Sequence, residues 1–222
     1  KYQGRDLMVT SLRDLSYRKR LEEVLRSSLR LTEMISDKTE NQIIEWGLEE
    51  AVRLSDSNIG FFHYVNDDQF TINLHVWSKQ TLENCDVPEK KLHYPISQAG
   101  TWVDSFHERK PVVHNDYLGL RTKKGLPEGH FPLVRYISLP VIEGNKVKII
   151  FGVGNKLDIY NQFDVDVLSL FAKTIWMVIQ RKRTEQELSD ANETKSKFLS
   201  IISHDLRSPL GSIHSLAEMI VD

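Results

Sequence analysis

Asn58-Ile-Gly-Phe-Phe-His-Tyr-Val65 and Phe70-Thr-Ile-Asn-Leu-His-Val-Trp77, separated by Asn66-Asp-Asp-Gln69, decide the architecture of this chain. Both runs have strand character, and the polar tetrad between them is a hairpin signal. In the second run Phe70, Ile72, Leu74 and Val76 alternate with polar residues, as a half-buried antiparallel strand requires. Downstream, a helix is expected over about 99–109 and a short strand at Pro111-Val-Val-His114. A loop follows over 115–133, with three glycines and two prolines. Tyr136–Ile142 and Lys146–Gly154 form a second strand pair turning at Glu143-Gly-Asn145. Upstream, Asn41–Ser55 reads as an amphipathic helix with Ile44, Leu48, Ala51 and Val52 on one face. Consecutive hairpins between helical segments imply an α+β fold, an antiparallel sheet with flanking helices.

Helices are expected on both sides of that sheet. Residues 16–35 carry a heptad-like seam of Leu21, Val24, Ser28, Leu31 and Ile35. Residues 1–15 read as a short strand leading into Arg13-Asp14-Leu15. From Gln162 a helical pattern runs to His204 without proline or glycine. A helix of that length needs a partner, which predicts a parallel two-stranded coiled coil. Arg181-Lys-Arg-Thr-Glu-Gln-Glu-Leu188 repeats the texture of Arg18-Lys-Arg-Leu-Glu-Glu-Val-Leu25. The pattern leads into Phe198-Leu-Ser-Ile-Ile-Ser-His-Asp-Leu-Arg-Ser-Pro-Leu-Gly-Ser-Ile213. There Phe198, Ile201, Ile202, Leu206 and Leu210 make one face to bury, and His204 lies outside it beside Asp205. Pro209 removes an amide donor and crowds the preceding turn, so a bend is expected beyond the histidine.

Composition narrows the function classes. The 222 residues are 40% hydrophobic, enough for one or two domains with a real core. A net charge of -2, with no basic block interleaved with aromatics, speaks against a nucleic-acid partner. One cysteine excludes an internal disulfide and fits a reducing, cytoplasmic compartment. No apolar run reaches the roughly twenty residues that span a bilayer. The abrupt start and the finish inside a helix at Met219-Ile-Val-Asp222 read as part of a longer protein.

Three resemblances organise these features. Residues 1–15, with Arg13-Asp14-Leu15 and the basic helix 16–35 after them, resemble the end of a PAS domain and its signalling helix. Residues 30–180 resemble a GAF domain of sensor kinases. The phrases that carry this are Val76-Trp-Ser-Lys79, Asn84-Cys-Asp-Val-Pro88, His93-Tyr-Pro-Ile96, Ala99-Gly-Thr-Trp102, Arg109-Lys-Pro-Val112, Asn115-Asp-Tyr117, Pro127-Glu-Gly-His130 and Gly152-Val-Gly-Asn-Lys156. After a coiled-coil linker at 181–195, residues 196–222 resemble the start of the dimerisation and phosphoacceptor (HisKA) domain of sensor histidine kinases.

The resemblance to sensor histidine kinases implies a two-component function. His204 would accept phosphate from ATP, Asp205 would act as base or orienting group, and Ser208 would hold the position that orients water for dephosphorylation. It also implies a homodimer through the linker helices and a response regulator receiver domain as partner. ATP would be used by a kinase domain that this chain does not contain, so the chain alone should be inactive. The GAF resemblance implies a small-molecule ligand between sheet and loops, with Trp77, Cys85, Tyr94, Trp102, Asn115, Tyr117, His130, Arg135, Ser138 and Tyr136 as candidate contacts. The strand aromatics could equally fill the core. Some GAF sensors carry haem or a linear tetrapyrrole; here Cys85 could tether a vinyl group and His130 ligate iron, although no Cys-x-x-Cys-His motif is present. Two rival readings are a small-molecule or haem-binding module without kinase activity, and an α/β enzyme using Cys85 as nucleophile beside His130 or His93.

Overall fold

The computed structural model describes residues 3–84, 93–121 and 132–221, with side chains over 17–73, 76–83, 95–121 and 132–204. Helices α1 (Gln3–Glu33) and α2 (Glu40–Leu54) precede strands β1 (Ile59–Val65) and β2 (Thr71–Trp77). Helix α3 (Lys79–Asn84), strand β3 (His93–Pro95), helix α4 (Asp104–Glu108) and strand β4 (Val112–His114) follow. Strands β5 (Tyr136–Glu143) and β6 (Lys146–Gly154) lead to helix α5 (Gln162–Val221). The six strands form one sheet in the order β3-β2-β1-β6-β5-β4, every neighbouring pair antiparallel.

Alternation along the strands gives the sheet two different faces. Ile137, Leu139 and Val141 of β5 point to a layer built by α1, α2 and α5, and with Leu31, Leu48, Phe62 and Phe171 they form the main core. The helices approach closely at Gly47, where a Cβ would lie 2.9 Å from the Ile175 side chain and 3.6 Å from that of Leu31. Helix α2 starts on a capping box, with the Gln42 amide donating to Thr39 Oγ1 and the Thr39 amide donating to Gln42 Oε1. The opposite face carries a second cluster of Val65, Ile72, Ile96, Val103 and Ile150, with Phe61, Trp102 and Phe106 against it.

A polar ladder holds α1 against α2. Arg20 meets Asp56 at 2.7 Å, Arg53 reaches Glu23 at 3.5 Å, and the Ser27 hydroxyl donates to Glu50 at 2.5 Å. Rising numbers on one side meet falling numbers on the other, so the two helices are antiparallel. Burial pushes the Glu50 carboxyl up, but hydrogen bonds from Arg53 and Ser27 and the charges of Arg53 and Arg30 outweigh it and hold it below its usual value. Helix α1 runs parallel to the start of α5: Tyr17 packs on Phe163 at 4.5 Å, and fourteen residues on, Leu31 shares the Gly47 contact with Ile175.

Several expectations change. The strand expected over 1–15 is helical from Gln3, because an isolated strand leaves its amides and carbonyls unpaired whereas extending an existing helix needs no new nucleus. Ser27, not Ser28, lies on the buried seam of α1 at 5% exposure. Phe70 is 76% exposed, since Asp68 accepts from the Phe70 and Thr71 amides and draws Phe70 into the turn. The helix expected over 99–109 is broken into a 3-10 turn at Thr101–Val103 and the short α4, with Arg109 closing it in the left-handed region at φ 54°. Helix α5 continues through Pro209 to Val221, which is compatible with the bend expected beyond His204.

By its own contacts the chain divides into Lys1–Ile179 and Gln180–Asp222. In the second unit, i to i+4 ties such as Arg181 to Glu185 at 2.9 Å and Lys197 to Glu193 at 2.6 Å line the helix. Phe198 and Ile201, expected on a buried face, are 62% and 60% exposed in the single chain. Among the described residues, no helix is long and apolar enough to cross a membrane.

Candidate functional site

The face of the sheet away from the long helices carries a wall of rings. His63 of β1 is 3% exposed and stacks on Phe61 with ring centres 5.2 Å apart. Trp77, at the end of β2, meets His63 edge-on at 5.0 Å, and Trp102, in the 3-10 turn before α4, does so at 5.2 Å. Phe61 can lie flat because β6 has Gly152 beneath it. A Cβ there would stand 2.4 Å from Phe61 Cζ and 2.6 Å from the Ile137 carbonyl oxygen.

A polar group adjoins the wall. The Ser138 hydroxyl donates to the Trp102 carbonyl at 2.5 Å and lies 2.7 Å from the Ser105 hydroxyl, which ties β5 to α4. Tyr136 donates to Thr101 Oγ1 at 2.7 Å. Burial pushes the Tyr136 phenol far up against the opposing pull of Thr101, so it is a neutral donor at any physiological pH. Burial also raises Tyr117, whose ring lies 6.0 Å from that of Tyr136. His114 Nε2 lies 3.2 Å from Asp104 and links β4 to α4. Ser105, Ser138, Tyr136 and His63 are buried, and the three hydroxyls bond to protein groups, so the open part of this face is the half-buried pair Trp77 and Trp102. A separate cleft of about 720 Å³ opens between α2, β2 and α3, lined by Trp46, Val76, Trp77 and Leu82 among others.

Trp77, Trp102, Tyr117, Tyr136 and Ser138, expected as contacts of a ligand between sheet and loops, are brought together on this face. Asn115 and Arg135 belong elsewhere, and both serve the connection between β6 and α5. Asn115 donates to the Tyr160 carbonyl at 2.9 Å and accepts from the Tyr160 amide at 2.7 Å. Arg135 donates to the carbonyls of Lys156 and Leu157. Asn115 bonds to backbone through both of its amide atoms, while Arg135 does so through Nη1 and leaves its buried Nε without a hydrogen-bond partner. The sequence reading missed Phe61 and His63; period-two alternation along Phe61-Phe-His63 puts both on one face and was the available signal. Tyr94 lies on β3 opposite Ile72, and its side chain, like Cys85 and His130, lies outside the described residues. His204 is exposed on α5, and the side chains of Asp205 and Ser208 are outside the described residues. Among the described residues no group of three His, Cys, Asp or Glu side chains is arranged to hold a metal ion.

The connection itself is closely pinned. Lys156 donates to both oxygens of Asp164 at 2.7 and 2.8 Å, and the two side chains are 7% and 2% exposed. Tyr160 Oη lies 2.7 Å from the Ser57 hydroxyl, and burial with little relief pushes its phenol up to about 12.

An antiparallel sheet with long helices packed on one face and rings gathered on the other is the architecture of a sensor domain. The GAF domain family matches residues 37–180, and the chain belongs to it. Over 214 residues the chain is 32% identical to a methyl sulfide methyltransferase-associated sensor of Methanosarcina acetivorans. That alignment covers 93% of this chain and 21% of the relative, so the chain spans about a fifth of the sensor's length. Among solved structures, the GAF domain of a phosphoenolpyruvate-protein phosphotransferase from Coxiella burnetii has a TM-score of 0.59 at 13% identity, covering 75% of this chain and 98% of that one. Part of a methyl-accepting chemotaxis protein has a TM-score of 0.56 at 15% identity, with 71% and 97% covered. The free methionine-R-sulfoxide reductase of Neisseria meningitidis, solved with its substrate, has a TM-score of 0.55 at 10% identity, with 73% and 91% covered. These three likenesses are of fold.

Proposed function

We propose that this chain is the sensory and phosphoacceptor segment of a two-component sensor histidine kinase. In this reading a small molecule or redox change at the ring-lined face controls phosphorylation of His204. The observation that carries it is α5, a single helix whose Val165, Phe171 and Ile175 are core of the sensing domain and which continues to an exposed histidine. The phrase Phe198–Ile213 around that histidine supports the phosphoacceptor role. An imidazole nitrogen of neutral His204 attacks the γ-phosphorus of ATP; a P–N bond forms, the bridging P–O bond breaks, and ADP leaves. The ring proton passes to a base, the role given to Asp205. Side chains at i and i+1 diverge by about 100° on an ideal helix, so that contact requires a suitable rotamer. Ser208 is assigned to water positioning during dephosphorylation. The phosphoryl group then moves to a receiver aspartate of a response regulator.

Exposed Leu188, Phe198 and Ile201 support pairing of two copies along the linker and phosphoacceptor helix, in the cytoplasm where ATP is available. A preceding PAS domain belongs to the same reading, carried by Arg13-Asp14-Leu15 and the basic helix start alone. His204→Gln in the intact protein should abolish labelling from γ-labelled ATP, and labelling that persists rejects the assignment.

A second reading is a ligand-binding module without kinase output, and the His63, Trp77 and Trp102 wall favours it equally. Haem is the cofactor that Cys85 and His130 suggest within either reading. A Soret band in the purified protein that is lost in Cys85→Ser or His130→Ala would support it, and a colourless protein would exclude it.

A further inference from the structure

Asp164 lies in the first turn of α5, 2% exposed, where a carboxylate suits the positive end of the helix. Cations from two different parts of the fold reach it. Lys156, just past the end of β6, donates to both of its oxygens at 2.7 and 2.8 Å. Arg20 of α1 places Nη1 3.6 Å from Asp164 Oδ1, while Nη2 donates to Asp56, beyond the end of α2, at 2.7 Å. The Arg20 guanidinium carbon also lies 5.9 Å from the centre of the Phe163 ring, and Tyr17, one turn earlier on α1, packs on that ring at 4.5 Å. Farther along, the apolar side chains of Leu31 of α1 and Ile175 of α5 both approach Gly47 of α2.

We propose that Asp164 is where two inputs converge on α5, the sheet acting through Lys156 and the incoming helix α1 acting through Arg20. The module then combines a signal arriving along α1 with its own ligand state. The physical basis is the cost of a buried carboxylate losing its counter-charges. The first turn of α5 therefore follows either cation when it moves. Apolar packing such as that of Leu31 and Ile175 around Gly47 tolerates sliding, whereas the charged junction fixes the register of the two parallel helices. Arginine suits the position because its planar fork serves two carboxylates at once. This rests on the reading that α5 carries the output, and Arg20 acts as a positioning residue.

Hydrogen exchange of the intact protein, read by mass spectrometry, tests the proposal without any need for kinase activity. Arg20→Gln should speed exchange of the amides over 163–168 on the order of tenfold while leaving β2 and β3 unchanged, with Arg20→Lys intermediate. In a Lys156→Met, Asp164→Leu background, where apolar side chains replace the ion pair, Arg20→Gln should alter those amides by less than about twofold. Asp164→Asn provides a second background if that pair of substitutions impairs folding. The proposal is overturned if Arg20→Gln leaves 163–168 unchanged, or if its effect is as large without the carboxylate. A silent His204 alongside the expected exchange pattern would reject the kinase reading and leave the junction standing.

Discussion

At Gly152 the missing side chain is what lets Phe61 lie on the sheet, because both the Phe61 ring and the Ile137 carbonyl would meet an added methyl. The carbonyl belongs to a paired strand and cannot swing away as a side-chain tip would. Gly152→Ala should therefore cost about 1–3 kcal/mol of unfolding free energy, read by urea denaturation. It should also shift the fluorescence of Trp102, whose ring meets Phe61 at 5.6 Å. Tyr160 gives a prediction in pH. Its phenol is raised in the folded state from 10.0 to about 12, so between these values the unfolded chain loses the proton first. Stability from this group is complete below pH 10 and falls as pH rises towards 12, by at most about 1.4 kcal/mol per pH unit. Tyr160→Phe should flatten that decline, and an unchanged alkaline limb would contradict the burial argument.

Among the elements, strands were far more legible than the partners of loop residues. Strand character in Phe70–Trp77 and Tyr136–Ile142 located β2 and β5. In β2 the alternation does not hold, since Phe70 lies in the turn and Ile72 and Val76 pack into clusters on opposite faces. Asn115 and Arg135 were read as ligand contacts because nothing local reveals that each bonds to backbone more than twenty residues away, in the β6–α5 connection. The same limit hid Lys156 and Asp164, which look like ordinary surface charges until Asn161 and the helix start bring them together. The residue 1–15 strand failed for a related reason, since its pattern suits either state and only the absence of a pairing strand decides it. Helix α5 makes its own prediction. An insertion of three residues near Thr184 rotates everything beyond it by about 300°, changing which face meets a second copy. Ligand-dependent output in the intact protein should be lost, and unchanged ligand dependence would rule out transmission along the helix.

For the molecule as a whole, the two sides of the sheet are packed differently, mostly aliphatic side chains under the long helices and aromatic rings with hydroxyls on the other. The helical side has Leu31, Ile44, Leu48, Phe171 and Ile175 fully buried, whereas on the opposite side the half-buried indoles of Trp77 and Trp102 cover the buried His63, Ser105 and Ser138. Strand β6 links them, since its Gly152 floors the ring wall and its end leads through Lys156 into α5. In the proposed reading, a ligand that shifts Phe61 acts through its packing on Gly152 of β6, the strand that leads into α5. The most direct test of the central claim is to incubate the intact protein with γ-labelled ATP and map the labelled peptide. The account predicts an acid-labile, base-stable phosphoryl group on the peptide containing His204, as a P–N bond requires. Acid-stable label, or label confined to peptides without His204, would contradict it.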